Sequence, residues 1–92
     1  MLFDWDESKS ERNLQERGFD FEYAGHIFDG ETEEFIDGRH DYGEIRTIAF
    51  GYIEGKMFAV VYTQRGEVRW IISAFRCKTK ELRRWKKRVA AL

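Results

Sequence analysis

Several arginines, one tyrosine and one glutamate carry the residue types needed for acid–base chemistry on a phosphate. Arg46 and Tyr62 lie in two predicted strands, and Arg65 and Arg69 flank the turn before the next strand. Guanidinium groups that meet at one phosphate would stabilise a charged pentacoordinate phosphorus, while a base would take the proton from an attacking ribose 2′-hydroxyl. If these side chains converge, the chemistry that they suit is metal-free cleavage of RNA.

Each side chain has a predicted role in this reaction. Glu44 or His40 would be the base, and Tyr62 would stack on a nucleobase or donate a hydrogen bond. Arginines would clamp the phosphate, so the predicted catalytic set is Glu44, Arg46, Tyr62, Arg69 and Arg76. Further cations would hold the RNA backbone, namely Arg65, Lys78, Lys80, Arg83 and Arg84. The alternative remains open that the arginines form salt bridges in a sheet, Tyr62 is core and the C-terminal cations only face solvent.

Other catalytic classes have little support in the sequence. The two histidines and the aspartates near them lack the spaced pairs of a zinc site, so we expect no metal ion and no other cofactor. Cys77 is the only cysteine, which excludes an internal disulfide bond. The serines occupy no glycine-flanked nucleophile turn, and no Gly-x-x-x-x-Gly-Lys phosphate loop occurs.

The two halves of the chain carry opposite charge. Residues 1–44 contain fourteen acidic and four basic residues, whereas residues 45–92 contain three and twelve. The net charges of −10 and +9 account for the total of −1. Such asymmetry indicates a surface for polyanions, or else two halves that neutralise each other within the fold.

Length and hydropathy predict one domain in the cytoplasm. Two halves of a 92-residue chain would be too small to bury a sufficient core, so residues 1–92 are expected to fold as one domain. No run of about 18 apolar residues is present, and the first six residues include two aspartates, which argues against a membrane span and a signal peptide.

The elements that must position these residues begin with a short strand and two helices. Residues 2–5 alternate as in a strand, and Asp6 is placed to cap a helix that Gly18 would end. Asp20 looks like a second cap, for a helix that ends near residues 29–30. Apolar residues recur along one side of this second helix.

The remaining sequence predicts a sheet and a final helix. Residues 35–36 suggest a short strand, and longer strands are predicted at residues 45–53, 57–63 and 68–75. Helical spacing returns over residues 78–92, where an apolar stripe consists of Leu82, Trp85, Val89 and Leu92. The predicted fold class is α+β, a twisted antiparallel sheet with two N-terminal helices and a C-terminal helix packed around it.

The order of these residues also resembles a known family. The resemblance runs through residues 3–9, 13–14, Gly18, 21–22, Ala24, 28–29, 39–44, Arg46, Gly51, 60–63, 65–66, 71–74 and Glu81. This combination is similar to that of the BrnT toxins. The resemblance implies a RelE-like fold, an endoribonuclease that cleaves mRNA and arrests growth, and a BrnA-type antitoxin as the partner. It also implies that operator DNA is contacted only through the complex with that antitoxin.

Three positions depart from the pattern of that family. Arg17 stands where a histidine is usual, Phe75 stands where an arginine is usual, and Trp70 replaces another arginine. A bulge in the last strand could bring the shifted Arg69 and Arg76 back into line. Two other functions are also open: a module that only binds nucleic acid or a partner, and a toxin that acts on a protein target such as a topoisomerase.

Overall fold

The computed structural model describes residues 1–90 as an α+β fold, which confirms the predicted class. The strands are β1 (Leu2–Trp5), β2 (Glu33–Ile36), β3 (Thr47–Ile53), β4 (Lys56–Arg65) and β5 (Val68–Arg76). The α-helices are α1 (Glu7–Arg17), α2 (Phe21–Ala24) and α3 (Thr79–Ala90). Leu92, the last residue of the predicted apolar stripe, lies outside the described residues.

The caps of α1 are formed by the residues that the sequence indicates. The Asp6 carboxylate accepts the backbone N–H groups of Ser8 and Lys9, and Gly18 ends the helix with a φ of 87°. A positive φ of this kind favours glycine because a Cβ would be strained there.

The second predicted helix is not one continuous α-helix. Asp20 does cap it by accepting the N–H of Tyr23, but α2 spans one turn and continues as a 3₁₀ helix at Gly25–Asp29. Ala24 and Ile27 are both fully buried against the sheet. The tighter 3₁₀ turn changes the angular spacing of side chains, which an apolar pattern of a few residues cannot distinguish from α-helical spacing.

The sheet is mixed, so the prediction of an antiparallel sheet is wrong at one edge. The strand order is β1-β5-β4-β3-β2, with β1 parallel to β5 and the other pairs antiparallel. A four-residue strand with alternating polarity carries no signal of its direction, because that direction is set by the helical connection that follows it.

Helices cover both faces of the sheet, and we name the faces after them. On the α1 face, strand residues such as Val60 and Ile71 pack with Phe21 and Ile27 of the helical segment before β2. On the α3 face, Phe50 and Ala59 pack with Trp85. Side chains of the central strand β4 must therefore enter one of two apolar clusters in alternation.

A β-bulge in β5 changes which residues share a face. The pairing steps from Val61–Ser73 to Tyr62–Ile71, so Ile72 has no partner residue on β4. Before the bulge Arg69 and Ile71 lie on the α1 face, and after it Ser73 lies on the α3 face. Regular alternation along this strand would predict that Arg69, Ile71, Ser73 and Phe75 share one face, but this holds only as far as Ile71 because the extra residue reverses the alternation.

Gly51 allows the 3₁₀ helix to approach β3 closely. A Cβ at this position would lie 2.8 Å from Cβ of Ile27 and 3.2 Å from its carbonyl oxygen. We expect Gly51→Ala to lower the free energy of unfolding by about 1–3 kcal/mol, because backbone and core must both shift. Urea denaturation measures this change.

Gly30→Ala is the matched control for that substitution. No atom lies within 4 Å of the Cβ position at Gly30, and its φ of −117° suits any residue. The control should change the free energy of unfolding by less than about 0.5 kcal/mol. Equal losses for the two variants would contradict a close contact at Gly51.

Candidate functional site

A carboxylate lies between two guanidinium groups at the end of the sheet where β4 finishes. Glu44 Oε1 is 3.6 Å from Arg46 Nε, and Glu44 Oε2 is 3.6 Å from Arg65 Nη2. These distances exceed those of direct hydrogen bonds, so the three side chains attract one another without being tied together. The Glu44 side chain is 29% exposed and the Arg65 side chain is 53% exposed, which leaves the group open to an incoming ligand.

Aromatic rings hold both arginines of this group. The guanidinium carbon of Arg46 is 4.1 Å from the ring centroid of Tyr42, and that of Arg65 is 4.7 Å from the ring centroid of Trp70. Cation–π contacts of this kind restrict the arginines while leaving their N–H edges free. We call these five residues the Glu44 cluster.

Arg46 Nε is a donor that lacks a partner. Among the buried side-chain nitrogen and oxygen atoms of residues 1–90, Arg46 Nε is the one that has no hydrogen-bond partner. A buried donor without an acceptor is costly, so an anion that reached it would be favoured. The Glu44 cluster can therefore bind an anion as an additional hydrogen-bond acceptor next to the Glu44 carboxylate.

Hydrogen bonds around Asp37 fix the loop that carries Tyr42 and Arg46. The Asp37 carboxylate accepts from Arg39 Nε and Nη2, both at 2.8 Å, and from the Tyr42 hydroxyl at 3.1 Å. Its backbone N–H donates to the carbonyl of Arg46 at 2.8 Å. The Thr63 hydroxyl donates to the carbonyl of Ile45, which attaches the other end of the loop to β4.

A second polar group lies on the α1 face, beneath the 3₁₀ helix. The Tyr62 hydroxyl donates to Glu34 Oε1, and the Thr32 hydroxyl donates to Glu34 Oε2. Arg69 Nη1 is 4.0 Å from Glu34 Oε2, and its guanidinium stacks on Phe28 and Tyr62. Burial and the neighbouring Glu34 carboxylate raise the pKa of Tyr62 to about 12.

Sequence reasoning missed Glu34. The predicted strand covered only residues 35–36, whereas β2 begins at Glu33. Once β2 is extended, its alternation places Glu34 opposite Ala49 on the α1 face, next to Tyr62. Glu34 could have been found only by extending the predicted strand toward the N-terminus. Two glutamates in succession do not indicate a strand, so the sequence offered no reason to extend it.

The structure separates the predicted catalytic residues into three places. It brings Glu44 and Arg46 together and adds Arg65 to them. Tyr62 and Arg69 lie on the opposite face, because Tyr62 and Arg65 are three residues apart on β4. The predicted convergence of these arginines and Tyr62 on one phosphate is therefore wrong.

Arg76 lies at the third place, which is the end of the strands remote from the Glu44 cluster. It pairs with Phe58 near the start of β4, whereas Arg65 pairs with Val68 near its end. Arg65 lies seven positions after Phe58 along β4, which corresponds to about 23 Å. The bulge does restore Arg76 to the face of Arg69, but it does not bring the two side chains together.

The predicted RNA-binding cations of the C-terminal segment are exposed. Trp85 attaches α3 to the sheet and stacks on Phe35, with ring centroids 6.1 Å apart. Solvent reaches the side of α3 away from the sheet and the turn before it, where the exposed cations include Lys78, Lys80, Arg83 and Arg84. The position of α3 leaves these residues accessible to a polyanion.

Three further observations concern residues 1–90. Burial raises the pKa of the Cys77 thiol to about 11, so this side chain is a neutral packing residue at pH 7. Within residues 1–90 no three His, Cys, Asp or Glu side chains come together in a way that could hold a metal ion. None of the helices in that part of the chain has the length and apolar run needed to cross a bilayer.

Asp37→Asn tests the support of the Glu44 cluster. The two hydrogen bonds from Arg39 hold the pKa of the buried Asp37 carboxyl well below its usual range. We expect the substitution to lower the free energy of unfolding at pH 7 by about 2 kcal/mol, because charge-assisted hydrogen bonds are lost. Denaturant unfolding at a series of pH values measures this loss.

The sign of the pH dependence follows from the lowered pKa. The contribution of Asp37 is present above the unfolded pKa of about 3.9 and is lost as the pH falls through the folded pKa. The difference between wild type and Asp37→Asn should therefore be constant above about pH 5 and shrink progressively as the pH falls below that value. Asp41→Asn is the control, since the exposed Asp41 carboxylate accepts a local N–H from Gly43 and, within residues 1–90, forms no salt bridge. A difference that grows on acidification would contradict this account.

Comparison with known proteins identifies the family. No curated protein matches the chain. A family model described as "Ribonuclease toxin, BrnT, of type II toxin-antitoxin system" matches residues 5–81, which include every residue of the Glu44 cluster. The chain therefore belongs to the BrnT family of ribonuclease toxins from type II toxin–antitoxin systems.

Proposed function

We propose that this ribonuclease toxin cleaves RNA at the Glu44 cluster without a metal ion. The observation that carries the proposal is the position of one partly exposed carboxylate between two guanidinium groups, each of which rests on an aromatic ring. A base and fixed positive charge within a few ångströms of each other are what transesterification of RNA requires.

The reaction follows from these groups. Glu44 takes the proton of a ribose 2′-hydroxyl, and the 2′-oxygen attacks the adjacent phosphorus. Arg46 and Arg65 stabilise the negative charge of the pentacoordinate phosphorus, which the unpartnered Nε of Arg46 favours. The bond to the 5′-oxygen breaks, that oxygen receives a proton, and the products are a 2′,3′-cyclic phosphate and a 5′-hydroxyl.

Two neighbours of the cluster would complete the site. His40 packs edge-on against the Tyr42 ring, with centroids 5.7 Å apart, and is the candidate that protonates the 5′-oxygen. The Trp70 ring would stack on a nucleobase beside Arg65. Trp70 stands where the family usually has an arginine. At this position the chain therefore offers an aromatic ring for stacking instead of a positive charge.

The Tyr62–Glu34–Arg69 group has less support as the cleavage centre. The Tyr62 hydroxyl already donates to Glu34, its ring is 7% exposed, and its raised pKa makes it a poor proton donor at pH 7. Arg69 is 18% exposed and stacked between two rings. On this proposal, both residues keep the 3₁₀ helix in place, and their predicted catalytic roles are not needed.

The partner follows from the type of system. A type II toxin implies a protein antitoxin and an RNA substrate. We propose that this antitoxin is of the BrnA type, that it carries the contacts to operator DNA, and that the toxin works in the cytoplasm as one RelE-like domain. The helices on both faces of a five-stranded sheet support the fold proposal.

Cleavage of a defined RNA in the presence of a chelator tests the proposal. We expect Glu44→Gln to slow cleavage by about 10²–10⁴-fold, the typical contribution of a general base. Arg46→Ala should slow it by about 10²–10³-fold through lost charge stabilisation. The new 3′-ends should carry a 2′,3′-cyclic phosphate, which end-group analysis detects.

Glu34→Gln is the matched control, because Glu34 is likewise a glutamate that lies beside an arginine and a tyrosine. It should cleave within about threefold of wild type if its thermal unfolding is unchanged. Loss of cleavage in Glu34→Gln but not in Glu44→Gln would move the centre to the α1 face. Cleavage that stops in the chelator would exclude the metal-free mechanism, and RNA binding without cleavage would favour a binding module.

A further inference from the structure

A cleft with cationic walls lies on the α1 face, at the end of the sheet remote from the Glu44 cluster. Its volume is about 450 Å³, within the range typical of ligand sites. Arg17 from the end of α1, Lys56 from the start of β4 and Arg76 from the end of β5 line it. The rings of Tyr23 and the buried Phe58 also line it.

The three cations of the cleft are held near one another without being neutralised. Within residues 1–90, no salt bridge joins Arg17, Lys56 or Arg76 to a carboxylate. Arg17 Nη1 donates to the carbonyl of Ala74 at 2.8 Å and to Asn13 Oδ1 at 3.2 Å, so its head is fixed by neutral acceptors. Its charge therefore stays available to a ligand.

One carboxylate does line the cleft. Asp20 accepts the backbone N–H of Tyr23 at 2.8 Å, in its role as the cap of α2. The lining still carries an excess of two positive charges. An anion in the cleft would meet cations from three separate elements of the fold.

Two further depressions share a lining residue with the cleft. Arg17 also lines a groove between α1 and β5, together with Lys9 and Arg12. Arg76 also lines a depression at the start of α3, together with Lys78 and Lys80. Glu16 and Glu81 lie in these two depressions, so cations outnumber carboxylates in each. We call the whole surface the cationic track, made of Lys9, Arg12, Arg17, Lys56, Arg76, Lys78 and Lys80.

We propose that the cationic track binds single-stranded RNA outside the scissile bond, with one nucleotide in the central cleft. Its phosphate would lie among Arg17, Lys56 and Arg76, and its base would stack on Tyr23, which is half-buried. Cations that follow the backbone, with an aromatic ring for a base, are how proteins bind single strands without sequence preference. This inference rests on the proposed function, since it takes RNA as the substrate.

The position of the track gives it a role in binding rather than in chemistry. Arg76 lies about 23 Å along the strands from the pair that carries Arg65, so both cannot contact one phosphate. Removal of one charge from the cationic track should weaken RNA binding by the same free energy in the ground state and in the transition state. Such a change raises KM and leaves kcat unchanged.

RNA binding measured by fluorescence anisotropy tests the proposal. The probe is a single-stranded 2′-O-methyl RNA, which lacks the attacking hydroxyl and cannot be cleaved. Lys56→Gln and Arg76→Gln should each weaken binding about fivefold at low salt and make the slope of log K against log salt shallower by about 0.7. Both side chains are exposed, and thermal unfolding verifies that the variants fold.

Lys87→Gln is the control, because it removes one charge from an exposed residue of α3 that lines none of the three depressions. It should leave affinity and salt slope as in wild type. A separate measurement needs no substitution: a 4-thiouridine oligonucleotide, irradiated with the wild-type toxin, should crosslink to Tyr23.

The outcomes separate this inference from the proposed function. Wild type that binds RNA, with Lys56→Gln and Arg76→Gln equal to it, would overturn the track but leave cleavage at Glu44 intact. Variants that bind RNA normally and lose the antitoxin would assign the track to an acidic protein instead. Wild type without RNA binding would overturn both proposals. A raised KM with unchanged kcat on cleavable RNA supports the track.

Discussion

The central strand β4 faces a buried cluster on each side, and this constraint determines where the charged residues of the sheet can lie. Val60 enters the core beneath the N-terminal helices, and Ala59 enters the core beneath α3. Neither face has room for a buried unpaired charge, which would be costly in an apolar environment. Most charged side chains of the sheet therefore lie near the ends of the strands, and Arg69, which the 3₁₀ helix covers, is held beside Glu34 and against two rings.

The charged side chains have different neighbours at the two ends of the sheet. At one end, arginines are kept near carboxylates and flat against rings, as Glu44 and Arg46 show. At the other end, Arg17 donates to neutral acceptors and Arg76 lies over the Phe58 ring, and cations outnumber the carboxylates that line the same cleft. A carboxylate beside cations suits acid–base chemistry, whereas an excess of cations suits the binding of a polyanion.

Much of the fold could be predicted from local signals. The caps Asp6 and Gly18 marked α1 because both act within a few residues of the helix ends. The three long strands were visible from their β-branched and aromatic content. The parallel pairing of β1 and the bulge at Ile72 could not be predicted, since each depends on contacts between residues far apart in sequence.

The site was predictable only in part, for the same reason. Glu44 and Arg46 are close in sequence, so their proximity in space was a safe expectation, and Arg65 joins them across β3 and β4. Tyr62 and Arg69 were grouped with them because a sequence shows spacing and not the face on which a side chain lies. A single bulge, or a shift of the strand pairing by one residue, moves a side chain to the opposite face of the sheet.

The proposed mechanism requires Glu44 and Arg46 to act on the same phosphodiester. A double-mutant cycle on cleavage rate tests it directly, with Glu44→Gln, Arg46→Ala and the two combined. Groups that act as a unit give non-additive effects, so the double variant should be little slower than the slower single variant. A double variant slowed by the product of the two separate effects would show that the residues act independently, and would contradict the account.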